Sequence, residues 1–217
     1  MLHALILAAA GATAPAATSA LKPVRTMVYD FNYTTGTDKV QHSGTIHADV
    51  LGITTDGGLA IRFSEEVPGD ASMTFAPAEC SVYGDTRVQC AKPAALSSFE
   101  NELGHLLGRN FVDPNAMDEK NHWRVAGTIG ASQLTDDFTV HSNDSGILNI
   151  TETRDVTEKG GSTTHHTATI TYDLNKTLPT KVVLTNSAAS NPQMNFTATY
   201  TLRSDWIVPA PSPKPKP

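Results

Sequence analysis

The residues with the clearest potential for metal chemistry are two adjacent histidines, His165 and His166. Neighbouring side chains on a strand point to opposite faces of a sheet, so these two cannot bind one ion unless the strand bulges. His42 and His47 are an odd number of positions apart, so on one strand they too would point to opposite faces. Because the spacing does not support a site assembled from distant histidines, we predict no metal site and interpret the histidines as solvated or structural.

Acidic residues form three further groups that could do chemistry. Residues 113–119 supply oxygen ligands of the kind that calcium prefers, but they lack the spacing and the central glycine of an EF-hand loop, so we expect a loop that follows a helix. Asp136 and Asp137 are adjacent and therefore face apart on a strand, and we expect them at a solvated edge. Residues 144–146 (Asp-Ser-Gly) resemble the catalytic triplet of aspartic proteases, but no second copy exists and we expect a turn.

The familiar catalytic sequence motifs are absent. The chain contains no G-x-S-x-G, H-E-x-x-H or P-loop sequence. We therefore predict no catalytic residue, no cofactor and a protein that is not an enzyme, with an exported hydrolase kept as a third alternative.

The two cysteines of the chain, Cys80 and Cys90, lie ten positions apart around a turn. If residues 84–86 form the loop, Val82 and Val88 share one face with both cysteines, and polar residues occupy the other face. A two-residue turn would mix the two faces, and face consistency sets strand register. We therefore predict a cross-strand disulfide, which requires an oxidising compartment. A redox or metal pair and two reduced core cysteines are the alternatives.

The N-terminus is typical of an export signal. An apolar run over residues 2–12 is followed by small residues that fit cleavage after Ala20. The run is too short to span a bilayer, and no other stretch is apolar for long enough, so we expect no membrane-spanning segment. We predict a signal peptide over residues 1–20, one domain over 21–208 and an extended Pro/Lys-rich tail over 209–217, in an exported protein that is periplasmic or extracellular.

The composition excludes some partners. The net charge is −6 and no basic run occurs, so nothing indicates binding to nucleic acid. With 18% charged and 39% hydrophobic residues, the chain is typical of a globular protein and not of a disordered one.

Most of the predicted domain has the pattern of strands separated by turns. Residues 50–55 and 59–63 flank Asp56-Gly57, which is a strong hairpin signal. Further strands are predicted at 26–33, 123–129, 137–141, 147–154, 164–174, 181–186 and 194–202, with turns at 143–146, 159–162 and 190–192. Alternation of threonine with apolar residues favours an antiparallel sheet that has one wet face.

One segment, residues 96–108, has helical periodicity instead. Ser97 and Glu100 form a capping-box pattern, and Gly108 is expected as the residue that ends the helix. The apolar positions fall on one stripe, which must be buried, and the concave face of a curved sheet is the natural partner. These positions are Phe99, Leu103, Leu106 and Leu107.

The expected fold is mostly β: an antiparallel curved sheet or half-open barrel of roughly ten strands, with one short amphipathic helix on its concave face. A two-sheet β-sandwich is the alternative. The plan resembles that of the periplasmic lipoprotein carriers in architecture alone, since no residue motif identifies a family.

Two functions are compatible with this fold. The first is an exported, non-enzymatic protein that binds a lipid or other apolar small molecule between helix and sheet. Its expected binding residues are Phe99, Leu103, Leu106, Leu107 and Trp123, which would serve equally well as plain core. The second is a cell-envelope or surface interaction module, with an envelope component as its partner and the Pro/Lys tail as a spacer.

Overall fold

A computed structural model describes residues 21–35, 41–69, 75–91, 96–129, 132–187 and 195–209. The predicted signal peptide over residues 1–20, the turn at 190–192 and the tail beyond Pro209 lie outside the described residues. They stay predictions.

The described chain forms one open antiparallel sheet of eleven strands in the order β5-β4-β3-β2-β1-β11-β10-β9-β8-β7-β6. Neighbouring strands are therefore sequence neighbours, except that β1 pairs with β11 at the centre. The strands are Arg25–Thr35 (β1), Gln41–Ile53 (β2), Leu59–Glu66 (β3), Ala78–Val82 (β4), Val88–Cys90 (β5), His122–Ile129 (β6), Ser132–Asp144 (β7), Ile147–Thr157 (β8), Thr163–Asp173 (β9), Leu178–Ser187 (β10) and Phe196–Ile207 (β11).

This architecture confirms the predicted antiparallel curved sheet with one helix, and a second sheet is absent from the described part of the chain. Several strands are longer than predicted, because polar residues at their ends continue the pairing. The hairpin at residues 54–58 is confirmed, and the turn between β7 and β8 has left-handed backbone at Ser145 (φ 56°) and Gly146 (φ 89°). The Asp-Ser-Gly triplet is therefore a hairpin turn.

The cysteine hairpin has the predicted register. Cys80 pairs with Cys90 and Val82 pairs with Val88, and a disulfide joins the two cysteines. The amide of Tyr83 donates to the Arg87 carbonyl at 3.0 Å, which closes the three-residue loop.

Side chains that point into the core alternate with more exposed ones along the central strand β1. Met27, Tyr29 and Phe31 of β1 are buried, whereas Asp30 and Asn32 between and beyond them are more exposed. Inward-facing side chains of the neighbouring strands join these three residues in one apolar cluster. The same cluster includes Leu103, Leu106 and Leu107. The concave face of the sheet is thus the apolar face.

The helix α1 (Ser98–Gly104) begins with the predicted capping box. The Glu100 amide donates to Ser97 Oγ at 3.0 Å, and the Ser97 amide donates to a Glu100 carboxylate oxygen at 2.9 Å. The helix ends earlier than predicted, with His105 as its C-cap. Leu103, Leu106 and Leu107 are almost fully buried against the sheet. At roughly 1.5–3 kcal/mol for each leucine, this burial contributes several kcal/mol.

The expectation that Gly108 ends the helix is wrong. Gly108 lies beyond the helix, where a Cβ atom would stand 1.9 Å from the Tyr83 carbonyl oxygen. Glycine is required there because the segment after the helix passes directly against Tyr83, and Arg109 forms an isolated parallel bridge with that residue.

The β4–β5 hairpin, at one edge of the open sheet, is linked to β7, the strand next to the opposite edge. Thr86, at the tip of the β4–β5 hairpin, donates from Oγ1 to Asp136 Oδ2 on β7 at 2.9 Å. The backbone oxygen of Thr86 also accepts a hydrogen bond from His105 Nδ1. The open, curved sheet, here called the half-barrel, is therefore bridged across its opening by hydrogen bonds from the hairpin tip and the helix end, and its described edge strands do not pair.

Across the described ranges, we find no helix with the length and apolar character needed to cross a membrane.

Candidate functional site

Two cavities open at opposite ends of the half-barrel. The first, the apolar groove, encloses about 730 Å³ where β1, β3 and β10 begin and β2, β9 and β11 end. The segment that follows the helix closes one side of it. Its apolar lining includes Met27, Val50, Ile53, Leu107, Leu178 and Ile207.

Large apolar side chains are exposed around this groove. Ile53 is 61% exposed, Ile207 is 66% exposed and Val24 is 50% exposed, and all three line the groove. Leu21 and Trp206, near the groove in sequence, are exposed as well. Clustered exposed apolar surface marks a ligand groove or an interaction site.

Among the described residues of the groove lining, the charged ones are two arginines. The guanidinium of Arg25 donates two hydrogen bonds to Asp205, at 2.7 and 2.9 Å, so its charge is offset locally. Arg109 is exposed and has no ion pair with any described residue. The groove is thus apolar, and the positive charge of Arg109 at its edge is not offset by any described residue.

A buried charge cluster lies between helix and sheet. Arg154 on β8 donates from Nε to Asp136 at 2.8 Å, from Nη1 to Glu102 at 2.6 Å and from Nη2 to Glu152 at 2.7 Å. Arg154, Asp136 and Glu152 are almost fully buried, and Glu102 of the helix is half-buried. Burial raises the pKa of Glu152 to about 7, against the opposing effect of Arg154.

The expectation that Asp136 lies at a solvated edge is wrong, although the prediction that Asp136 and Asp137 face apart is confirmed. Asp136 is fully buried against Arg154, whereas Asp137 faces outward and accepts hydrogen bonds from Arg124 at 2.7 and 3.0 Å.

The sequence did contain a signal for the buried charge cluster. Glu152 and Arg154 share strand parity with the core residue Ile150, which places them on the inner face.

A second pair of buried carboxylates, Glu65 and Glu100, meets at the start of the helix. Ser97 Oγ donates to Glu65, and Glu100 accepts the Ser97 amide. Burial raises the pKa of Glu100 to about 7, and the nearby Glu65 adds to this effect. One oxygen of each carboxylate, Oε1, has no hydrogen-bond partner among the described residues.

The second cavity, the aromatic pocket, encloses about 490 Å³ at the other end of the same strands. Its aromatic lining comprises Tyr33, Phe75, Phe99, Phe196 and Tyr200, and Glu102, Ser97, His42 and His166 add polar groups. The ring of Tyr33 lies 5.1 Å from that of Phe99 and 5.3 Å from that of Phe196.

The adjacent histidines His165 and His166 do point to opposite faces. His165 is exposed and pairs with Asp155 at 2.6 Å, whereas His166 lines the aromatic pocket. Burial lowers the pKa of His166, so the ring is neutral there. In the part of the chain that the structure describes, no three His, Cys, Asp or Glu side chains form a group that could hold a metal ion.

The predicted binding residues do not line one common cavity. Phe99 lines the aromatic pocket and stacks on Phe31, with ring centroids 4.6 Å apart. Leu107 lines the apolar groove. Leu103 and Leu106 are buried in the core, and Trp123 is buried with its ring stacked on that of Phe138. Ligand binding by these five residues stays a prediction.

Comparisons with known proteins add a likeness of fold. No protein-family model matches the chain, and no curated protein matches it. Among solved structures, the chain is similar to one described as an outer membrane lipoprotein-sorting protein domain from Vibrio parahaemolyticus. The identity is 8%, the match covers 84% of each chain, and the TM-score is 0.37. At this distance the likeness carries no inference about what the present chain binds.

Proposed function

We propose that this protein is exported, is not an enzyme, and holds a lipid or other apolar small molecule in the apolar groove. The observation that carries this proposal is the exposure of Val24, Ile53 and Ile207 around an open cavity of about 730 Å³. Ligand pockets in proteins typically enclose about 300–1,000 Å³. The Cys80–Cys90 disulfide supports export, because such bonds persist in oxidising compartments.

The charge at the groove edge favours an amphiphile whose head group is anionic. Arg109 is exposed beside apolar walls and lacks an ion pair with any described residue, so a carboxylate or phosphate head would supply the missing partner. Arg25 contributes less, because Asp205 already binds it in a bidentate manner. The acyl chain would lie among the apolar residues and gain by leaving water.

Displacement of a fluorescent apolar probe, N-phenyl-1-naphthylamine, tests this proposal. We expect oleate and oleyl alcohol both to displace the probe, and oleate to do so at lower concentration. Replacing Arg109 by glutamine (Arg109→Gln) should remove this preference for oleate and leave oleyl alcohol unaffected, because only the charged head group loses its partner.

The matched test of the groove itself is the double substitution Ile53→Ser and Ile207→Ser. We expect it to weaken both ligands by roughly tenfold or more, since two large apolar contacts are lost. Leu21→Ser is the control, because Leu21 is 64% exposed but does not line the groove. Failure of the probe and of both ligands to bind the unmodified protein would contradict the proposed function.

A further inference from the structure

We propose that the aromatic pocket is a second, separate binding site, which takes an organic cation of the amine or quaternary ammonium class. The cation would lie against the aromatic rings and offset the carboxylates behind the pocket. The site is independent of the apolar groove, because it is built from the opposite ends of the same strands.

The interior beside this pocket has an imbalance of charge. Among the described residues, four buried carboxyl groups and one half-buried carboxyl group lie at this end of the molecule against one buried guanidinium, that of Arg154. Within the described ranges, the other buried basic group is His105, whose pKa is lowered by burial, so it is neutral. The carboxylates belong to Glu65, Glu100, Glu102, Asp136 and Glu152.

Several polar atoms beside the pocket have no hydrogen-bond partner among the described residues. Tyr200 contributes to the pocket wall and is 1% exposed, yet its hydroxyl has no hydrogen-bond partner among the described residues. Ser97, which also lines the pocket, connects it to Glu65 and Glu100, each with an unpartnered Oε1. Buried polar atoms without partners are rare in folded proteins and call for an explanation.

The wall of the pocket combines aromatic rings with a carboxylate. The rings of Phe99 and Phe196 each contact the ring of Tyr33, and the half-buried carboxylate of Glu102 lines the same pocket. Aromatic faces attract ammonium groups through the ring quadrupole, and an adjacent carboxylate strengthens this attraction. Neutral His166 adds no competing positive charge.

Isothermal titration with choline and with 3,3-dimethylbutan-1-ol tests the proposal, because the two molecules share their shape and differ in charge. We expect choline to bind roughly tenfold tighter than the alcohol, as cation–π contacts and the carboxylates predict. We also expect choline to bind more tightly at pH 8 than at pH 6. Protons compete for Glu100 and Glu152, whose pKa values are about 7.

Two variants localise the binding. Phe196→Leu keeps the wall apolar but removes a ring, and Glu102→Gln removes a charge; each should weaken choline several-fold and leave the alcohol unchanged. The groove variant Ile53→Ser with Ile207→Ser is the control and should bind choline normally. A thermal melt of each variant confirms that it folds. Equal affinity for choline and the alcohol, or no choline binding at millimolar concentration, would overturn the proposal, because protons alone would then offset the carboxylates.

Discussion

The two ends of the half-barrel are made from the same strands and have opposite chemistry. Met27 of β1 lines the apolar groove and Tyr33 of β1 lines the aromatic pocket, and these two residues are six positions, or about 20 Å, apart along the strand. At the groove, apolar side chains are exposed to water. Behind the pocket, charged side chains are buried away from water.

This difference distinguishes residues that contribute to the stability of the fold from exposed residues that are available for ligand contacts. Exposed apolar side chains such as Ile53 contribute little to folding, because they remain in water in the native state. The charges around Arg154 are part of the interior, where a carboxylate that loses its partner destabilises the protein strongly. Substitutions at the two ends should therefore affect stability to very different extents.

The largest expected effect is that of Arg154→Leu. This change leaves Asp136, Glu102 and Glu152 without their shared cation, and we expect the free energy of unfolding to fall by about 3–5 kcal/mol at pH 8. Urea unfolding measures it. Arg203→Leu is the control, because Arg203 pairs with Asp30 on the exposed surface and should cost at most about 1 kcal/mol. Equal losses in both variants would show that the buried cluster is not a structural requirement.

An intermediate effect is expected from pH. Because Glu152 and Glu100 have pKa values of about 7, above the ordinary glutamate value, the folded protein binds more protons than the unfolded chain between about pH 4.3 and pH 7. Stability contributed by these groups is present at low pH and is lost as pH rises through 7. Glu102, whose pKa is held below its usual value mainly by Arg154 against burial, acts in the opposite direction at lower pH.

Glu152→Gln should remove part of this pH dependence, since the amide keeps the size of the side chain and cannot ionise. We expect the variant to match the unmodified protein near pH 5 and to exceed it by on the order of 1–2 kcal/mol at pH 8. Glu119→Gln, in an exposed loop, is the control. An unchanged slope of unfolding free energy between pH 5 and pH 8 would show that Glu152 does not titrate in this range.

The smallest effect on stability is expected at the groove. Ile53→Ser together with Ile207→Ser should change the free energy of unfolding by no more than about 0.5 kcal/mol per site, because both side chains are more than half exposed. The same urea experiment measures it. A loss comparable with that of Arg154→Leu would show that the groove residues belong to the core and would remove the contrast between the two ends.

Local rules in the sequence predicted much of the fold. The hairpin around the cysteines and its register followed from face consistency, and the turn at residues 143–146 followed from its composition. The start of the helix followed from the capping box. Each of these features depends on residues within about ten positions of one another, so the sequence is sufficient to specify them.

The site was less predictable, because it depends on groups that lie far apart in the chain. Arg154 meets Glu102 from 52 positions away and Asp136 from 18 positions away. Asp136 shares strand parity with the apolar residues Leu134 and Phe138, which indicates that it faces inward, but parity does not show which group pairs with it. The apolar residues of the predicted helical stripe also lie in different places. Phe99 lines the aromatic pocket, Leu107 lines the apolar groove, and the other two are in the core.

The sequence by itself therefore determined the strand-rich antiparallel fold, the disulfide hairpin and the capped helix, because these arise from alternation, turn chemistry and contacts between near neighbours. Only the tertiary structure decided which end of the sheet stays open to water and which end encloses charge. That outcome depends on where the helix and the β4–β5 hairpin tip pack against the concave face. Their positions are set by contacts with residues that are distant in the sequence, such as Glu102 with Arg154 and Thr86 with Asp136.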